Sequence, residues 1–96
     1  MAGHGTSPLY EPEQSPLSTD QERLNAKVAQ MIYDARTAAQ LTQKQLAERI
    51  GTTQSVIARL EDSDYEGHSL TMLARVAHAL DLHLQVGFTS KKRAND

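Results

Sequence analysis

The sequence predicts an all-α fold of four to five helices followed by one β-strand, in a single small domain. Apolar residues recur at intervals of three and four from position 24 to position 80, which is the helical period. After position 81 the apolar period changes to two, the period of a strand with one buried face. Only 4% of the residues are aromatic and Trp is absent, so the core must be aliphatic. A chain of 96 residues can bury one modest core.

Composition divides the chain into four segments. Residues 1–18 contain all three prolines and two of the five glycines, and we expect a disordered N-terminal arm, either a solvated leader or a segment that folds onto a partner. Residues 19–81 form the helical domain. Residues 82–89 form the strand, and residues 90–96 are a basic tail with Lys91, Lys92 and Arg93.

Capping signals predict where each helix begins. Thr19 and Glu22 have capping-box spacing, as do Thr42 and Gln45, so helices one and two should start there. Helix one should run to about residue 39 and helix two should end at Gly51. Thr53 is the predicted N-cap of helix three, and Ser69 is the predicted N-cap of helix four.

The helical period also predicts which side chains face inward. In helix one these are Leu24, Val28, Ile32, Ala35 and Ala39. In helix two they are Leu46, Ala47 and Ile50, in helix three Val56, Ile57 and Leu60, and in helix four Leu70, Leu73, Ala74, Ala77 and Leu80. After helix three comes a turn-rich acidic loop, in which Tyr65 should pack inward.

The predicted strand lacks a partner within its own chain. Leu82, Leu84, Val86 and Phe88 alternate with polar residues or glycine. A lone strand leaves its backbone donors and acceptors unsatisfied on both edges. The economical solution is antiparallel pairing with the same strand of a second copy, which predicts a homodimer. The alternative is an extended tail packed on helices one and four.

The outward face of helix three has the chemistry of a nucleic-acid reader. Removing its inward positions leaves Gln54, Ser55, Ala58 and Arg59, with Thr52 and Thr53 at its N-terminal end. Gln can bond bidentately to adenine and Arg to guanine, and a helix N-terminus favours phosphate. Gln43 and Lys44, at the start of helix two, should lie beside the DNA backbone. These positions predict double-stranded DNA as a partner.

Charge is segregated along the chain, although the formal net charge is only −2. Residues 1–21 carry three acidic and no basic residues, whereas residues 22–60 carry six basic and three acidic residues. An acidic run then follows, Glu61, Asp62, Asp64 and Glu66. Positive charge is therefore local to the predicted DNA-facing segment, and the acidic material suits a second, basic partner.

The order LTQKQLAERIGTTQSVIARLE resembles the Xre/Cro family of helix-turn-helix repressors, over about residues 24–80. The resemblance implies that Gln43, Gln54, Ser55 and Arg59 lie where family members contact DNA, with Lys44, Thr52 and Thr53 on the phosphates. One departure is Gln40, where the family usually has Gly, so helix one must end with mild strain or a different cap. The acidic loop is another, and it should repel phosphates.

The continuation RLEDSDYEGHSLTMLARVAHAL, with the alternating strand after it, is similar to HigA-type antitoxins of bacterial toxin-antitoxin operons. That resemblance implies a homodimeric transcriptional repressor that reads an inverted-repeat operator, autoregulates its operon and neutralises a RelE/HigB-like, mRNA-cleaving toxin. Two alternatives remain open at this point. One is a free-standing phage-type regulator without a toxin, and the other is mainly a toxin-binding module with weak DNA binding.

The chain lacks the residue patterns that metal sites, cofactor sites and enzymes require. The chain has no Cys, and its four His are scattered without acidic residues at ligand spacing, so we expect neither a metal nor a cofactor. No serine is paired with a His and an acid, so we expect no enzyme. The absence of Cys and of any signal-peptide or membrane-spanning pattern predicts a cytoplasmic protein.

Overall fold

The computed structural model describes residues 16–91, with side chains from residue 19 onward, as four α-helices and their connections. Helix α1 spans Pro16–Ala38, α2 spans Gln43–Ile50, α3 spans Gln54–Leu60 and α4 spans Leu70–Ala79. The all-α prediction is confirmed. Most of the predicted N-terminal arm and the end of the basic tail lie outside the described residues.

Helix α1 begins earlier than predicted. Its first residue is Pro16, so Thr19 lies inside the helix and cannot cap it, and the capping-box prediction for Thr19 and Glu22 is wrong. Proline is well suited to the first turn of a helix, because its φ is already helical and its missing N–H would have had no partner there.

The other three predicted caps are confirmed. Thr42 accepts a hydrogen bond from the backbone N–H of Gln45 at 3.0 Å, and the Gln45 side chain accepts from the backbone N–H of Thr42 at 2.8 Å. Thr53 and Ser69 each accept from the backbone N–H three residues along, at 3.3 and 3.1 Å. These short helices therefore start where the sequence predicts.

Three of the helices end in the same way, with a residue in the left-handed conformation. Gly51 has φ 87°, whereas the two other positions, Gln40 at φ 63° and Asp81 at φ 62°, carry side chains. In each case the next backbone N–H bonds back to the carbonyl five residues earlier, at 2.8 to 3.2 Å. Of the two endings predicted for helix one, mild strain or a different cap, the structure has the strained one, because left-handed φ is unfavourable for residues with a Cβ.

All four helices contribute to one aliphatic core. Its buried members are Ile32, Leu46, Ala47, Ile57, Leu60, Val76 and Leu80. The predicted inward faces of α1 and α4 need correction, because Leu24 and Leu70 are 55% and 61% exposed, and Ala39 and Ala74 are also exposed. In α1 the buried positions are Asn25, Ala29, Ile32 and Arg36. The helix is turned so that Arg36 faces inward, where it has an ionic partner.

Residues 82–90 form neither helix nor strand in the single chain. Leu82, Val86 and Phe88 are 52%, 68% and 104% exposed, and Leu84 is half-buried. The strand at 82–89 stays a prediction, since a strand requires a second strand to satisfy its backbone. None of the helices within residues 16–91 has the length and apolar character needed to cross a lipid bilayer.

Candidate nucleic-acid interface

The α2–turn–α3 unit is built on a small set of buried side chains. Ala47 is 2% exposed, Ile57 is fully buried and Leu60 is 3% exposed. Gly51 supplies the left-handed residue between the two helices, and Thr53 caps the second one. The scaffold roles predicted for these residues are confirmed, and the unit holds one face of α3 away from the core.

That outward face carries the side chains predicted to read DNA. Gln54, Ser55 and Arg59 are exposed, together with Ala58. Lys44 is exposed in the first turn of α2, whereas Gln43 beside it is half-buried. The exposed residues share one side of α3 because they alternate with its buried positions at the helical period.

The turn residues are placed differently from one another. Thr53 is exposed, but its hydroxyl oxygen already accepts the capping hydrogen bond from Val56. Thr52 is half-buried, and its backbone N–H is bonded to Ala47 at 2.9 Å. Any contact that Thr53 makes to a phosphate would therefore use its hydroxyl hydrogen or its backbone.

A buried ion pair lies under this face. Arg36 Nε donates to Glu61 Oε2 at 2.6 Å, and Arg36 Nη2 donates to Glu61 Oε1 at 3.0 Å. The two side chains are only 10% and 4% exposed. Arg36 Nη1 also donates to the carbonyl of Leu41 at 2.7 Å, and its guanidinium lies 5.3 Å from the centre of the Tyr33 ring. Bidentate geometry of this kind joins the end of α1 firmly to the end of α3.

The ion pair alters the titration of Arg36. The hydrogen bond to Glu61 raises the pKa of the Arg36 guanidinium above its ordinary value, although burial acts in the opposite direction. Arg36 is therefore charged at neutral pH, as arginine is throughout proteins.

From the ion pair, hydrogen bonds lead directly to the exposed face of α3. Gln43 Nε2 donates to Glu61 Oε1 at 3.1 Å, and Gln54 Nε2 donates to Gln43 Oε1 at 3.4 Å. Arg36, Glu61, Gln43 and Gln54 thus form one chain, which we call the polar network. It orients the Gln54 amide, leaving its oxygen and its second N–H for a ligand.

This arrangement corrects the charge interpretation made from sequence. Glu61 is not part of the exposed acidic run, because its carboxylate is buried against Arg36. Arg36 likewise adds nothing to the basic surface. The exposed acidic residues of the loop are Asp62, Asp64 and Glu66, and Asp62 Oδ1 accepts from the backbone N–H of Asp64 at 2.9 Å.

Sequence reasoning missed the linking role of Arg36 and Glu61. Arg36 follows Ile32 by four residues, so it falls on the buried side of α1, and Glu61 comes directly after the buried Leu60. The available signal was this pair of opposite charges, one at the end of the buried face of α1 and the other at the end of the buried face of α3. Gln43 was predicted, but its contact with Gln54 requires the angle between α2 and α3, which the sequence does not contain.

The loop after α3 is closed by a histidine. His68 Nε2 donates to the carbonyl of Leu60 at 2.7 Å, and the Tyr65 ring meets the His68 ring edge-on with centroids 5.0 Å apart. Tyr65 packs against the core as predicted. Within residues 16–91 the His, Asp and Glu side chains form no group of three or more that could hold a metal ion.

Comparison with known proteins agrees with this geometry. A family model described as a helix-turn-helix domain matches residues 15–88, which is most of the chain. Searches of the curated proteins and of the solved structures found no match. The family match includes the whole α2–turn–α3 unit and all of α4. The chain therefore belongs to the helix-turn-helix domain family, and this membership indicates a DNA-binding regulator.

Proposed function

We propose that the protein is a sequence-specific DNA-binding repressor that acts as a homodimer. The observation that carries this proposal is the exposed face of α3, where Gln54, Ser55 and Arg59 stand on a helix held by the polar network. These side chains can donate to and accept from base edges in the major groove. A repressor of this kind works at chromosomal DNA, in keeping with the predicted cytoplasmic location.

Each residue has a distinct proposed role. Gln54 would bond bidentately to an adenine and Arg59 to a guanine, while Ser55 would add a single hydrogen bond. Lys44 would contact a phosphate, together with the turn residues Thr52 and Thr53. Gln43 would position the Gln54 amide and could donate its second N–H to a phosphate. Base contacts would set the preferred sequence, and phosphate contacts would set the position of the domain on the duplex.

Dimerisation through residues 82–89 would give the protein two α3 helices with which to contact DNA. Two copies related by a two-fold axis would place their α3 helices in successive major-groove faces about 34 Å apart, and so read an inverted repeat. The exposure of Leu82, Val86 and Phe88 supports a partner at this segment, because large apolar side chains left in water mark interaction surfaces.

DNA binding is tested by titrating DNA from upstream of the gene and random duplex of equal length at the same moderate salt. We expect Gln54→Ala and Arg59→Ala each to weaken specific binding by about 1 to 3 kcal/mol, with the preference relaxed at one base position. Lys44→Ala should weaken binding to all sequences alike. It should also reduce the slope of the log binding constant against log salt concentration by about one.

The matched control is a pair of exposed serines. Ser55→Ala, on the reading face, should reduce the preference for the upstream DNA, whereas Ser63→Ala, in the acidic loop, should not. Equal affinity of the unmodified protein for the two duplexes would rule out sequence-specific repression. Lost helicity in Arg59→Ala would mean that Arg59 supports the fold rather than the interface.

We further propose that the repressor is the antitoxin of a type II toxin-antitoxin system and neutralises a RelE/HigB-like, mRNA-cleaving toxin. The support is the resemblance of residues 59–80 and the exposed carboxylates of Asp62, Asp64 and Glu66, which suit a basic RNA-cleaving partner. The remaining acidic residue of that run, Glu61, is excluded because its side chain is buried.

Co-expression with the product of an adjacent short gene tests the antitoxin role. A complex that co-purifies and dissociates more readily in high salt is expected, and Asp64→Asn together with Glu66→Gln should weaken it. Survival of the complex after deletion of residues 1–15 would exclude the part of the N-terminal arm that precedes α1 as the essential contact. Specific DNA binding without any toxin would favour a free-standing phage-type regulator, and a tight complex without specific DNA binding would favour a toxin-binding module.

A further inference from the structure

The segment after α4 carries a row of exposed apolar side chains beside an open groove. Phe88 is fully exposed, and Leu82 and Val86 are 52% and 68% exposed. The groove lies between α4 and the start of the segment, with a volume of about 420 Å³. Its walls include Ala74, Ala77, His78, Leu82 and Leu84. Small residues on α4 leave room there for a ring, and cavities of this volume hold groups larger than a Phe side chain.

Two-fold symmetry restricts how a second copy can pair with this segment. In an antiparallel pair, residues directly opposite each other point to the same side of the sheet. If the axis lies at Gln85, Leu84 faces Val86 of the second copy and Leu82 faces its Phe88, so all four apolar residues find apolar partners. A shift by one residue would place every apolar side chain opposite a polar residue or glycine.

Shifts by two residues also fail. With the axis at Leu84, Phe88 would face Leu80, which closes α4 and is not available to a strand. With the axis at Val86, Leu82 would face Ser90 instead of an apolar residue. Only the axis at Gln85 pairs the whole apolar row.

The same register brings complementary charges together. Asp81 would face Thr89 of the second copy, and Lys91 of that copy would then extend past Asp81 toward the C-terminal end of α4. The last carbonyls of a helix carry partial negative charge and attract cations. Lys91 would therefore lie between a carboxylate and a helix C-terminus.

We propose that two copies pair antiparallel about Gln85, and that Phe88 of each copy enters the α4 groove of the other beside Leu82. This inference deepens the proposed homodimer and rests on it. It adds the register, the occupant of the groove and the face of α4 that dimerisation covers.

The register can be tested directly, because the chain contains no Cys. Opposite residues in an antiparallel pair have Cα atoms about 4.5 to 5.5 Å apart, within the range of a disulfide. Under mild oxidation, Gln85→Cys should crosslink with itself. His83→Cys and Gly87→Cys should each fail alone, since each lies about 13 Å from its own copy, but should crosslink when mixed.

Other crosslinking patterns would overturn the register. Crosslinking of His83→Cys with Gln85→Cys would place the axis at Leu84, and crosslinking of Gln85→Cys with Gly87→Cys would place it at Val86. A chain that is monomeric by light scattering at micromolar concentration would overturn the dimer itself. DNA titrations of the same sample separate that outcome from a failure of DNA recognition, because a monomer can still prefer one half-site.

The groove is tested by sedimentation equilibrium. Phe88→Ala should weaken the dimer at least tenfold, whereas Thr89→Ala should leave it unchanged. Ala74→Phe adds a ring to the exposed floor of the groove and should weaken the dimer by a similar factor, with helicity and melting of the monomer retained. Dimers unaffected by Ala74→Phe would show that Phe88 lies elsewhere.

Discussion

Replacing Glu61 with Ala is the sharpest test of the polar network. The change removes both oxygens that accept from Arg36, at 2.6 and 3.0 Å, and leaves a guanidinium whose side chain is 10% exposed. Breaking a buried ion pair on one side costs about 3 to 5 kcal/mol. We expect about 3 kcal/mol, at the lower end, because the Leu41 carbonyl and the Tyr33 ring still contact Arg36.

The loss of stability expected for Glu61→Ala is large for this domain but leaves it folded. A chain of 96 residues is expected to have a free energy of unfolding of about 5 to 14 kcal/mol. Urea unfolding followed by circular dichroism, at one fixed protein concentration, measures the difference without screening the charges. The control is Glu48→Ala, which removes an exposed carboxylate in α2 and should change stability by no more than about 0.5 kcal/mol.

A double variant separates the contribution of the ion pair to stability from the contributions of its two residues. Arg36→Met with Glu61→Leu should regain most of the stability, to within about 1 kcal/mol of the unmodified chain, because an apolar pair leaves no buried charge. A loss below about 1 kcal/mol for Glu61→Ala would be the behaviour of a surface pair. That result, or additive losses in the double variant, would refute the buried network.

Three further outcomes follow from the geometry. Gln40→Gly should raise the free energy of unfolding by about 0.5 to 1 kcal/mol in the same urea assay, because glycine adopts the left-handed φ of 63° without strain. Gly67→Ala should cost about 1 to 3 kcal/mol and alter the near-ultraviolet signal of Tyr65, since a methyl group there would overlap the Tyr65 ring. Gln43→Ala should relax DNA preference at the base position affected by Gln54→Ala, and the two losses in binding titrations should not add.

Local signals explain why much of the fold could be predicted. The caps Thr42, Thr53 and Ser69 and the left-handed Gly51 act through hydrogen bonds and φ preferences within four residues of themselves. The buried and exposed sides of α3 follow from the helical period alone. Such features need no knowledge of the rest of the chain, and they were enough to indicate a helix-turn-helix family and the exposed face of α3.

Prediction failed at the start of α1 and on part of its inward face. At the start of α1, Thr19 has the spacing of a cap, yet the helix continues back to Pro16. The inward face of the same helix includes Arg36 because Glu61, 25 residues away in sequence, stands opposite it. Periodicity assigns apolar residues inward and charged residues outward, and it cannot represent a buried charge with a remote partner.

By itself, then, the sequence determined a helical fold, three of the helix caps and which side chains of α3 face outward. Only the tertiary structure decided that Glu61 belongs to the interior and that Gln54 is oriented through Gln43. The physical reason is the separation along the chain between the residues that interact. Caps and periodicity depend on neighbours within a turn or two, whereas ion pairing and amide orientation depend on the angles at which the helices cross.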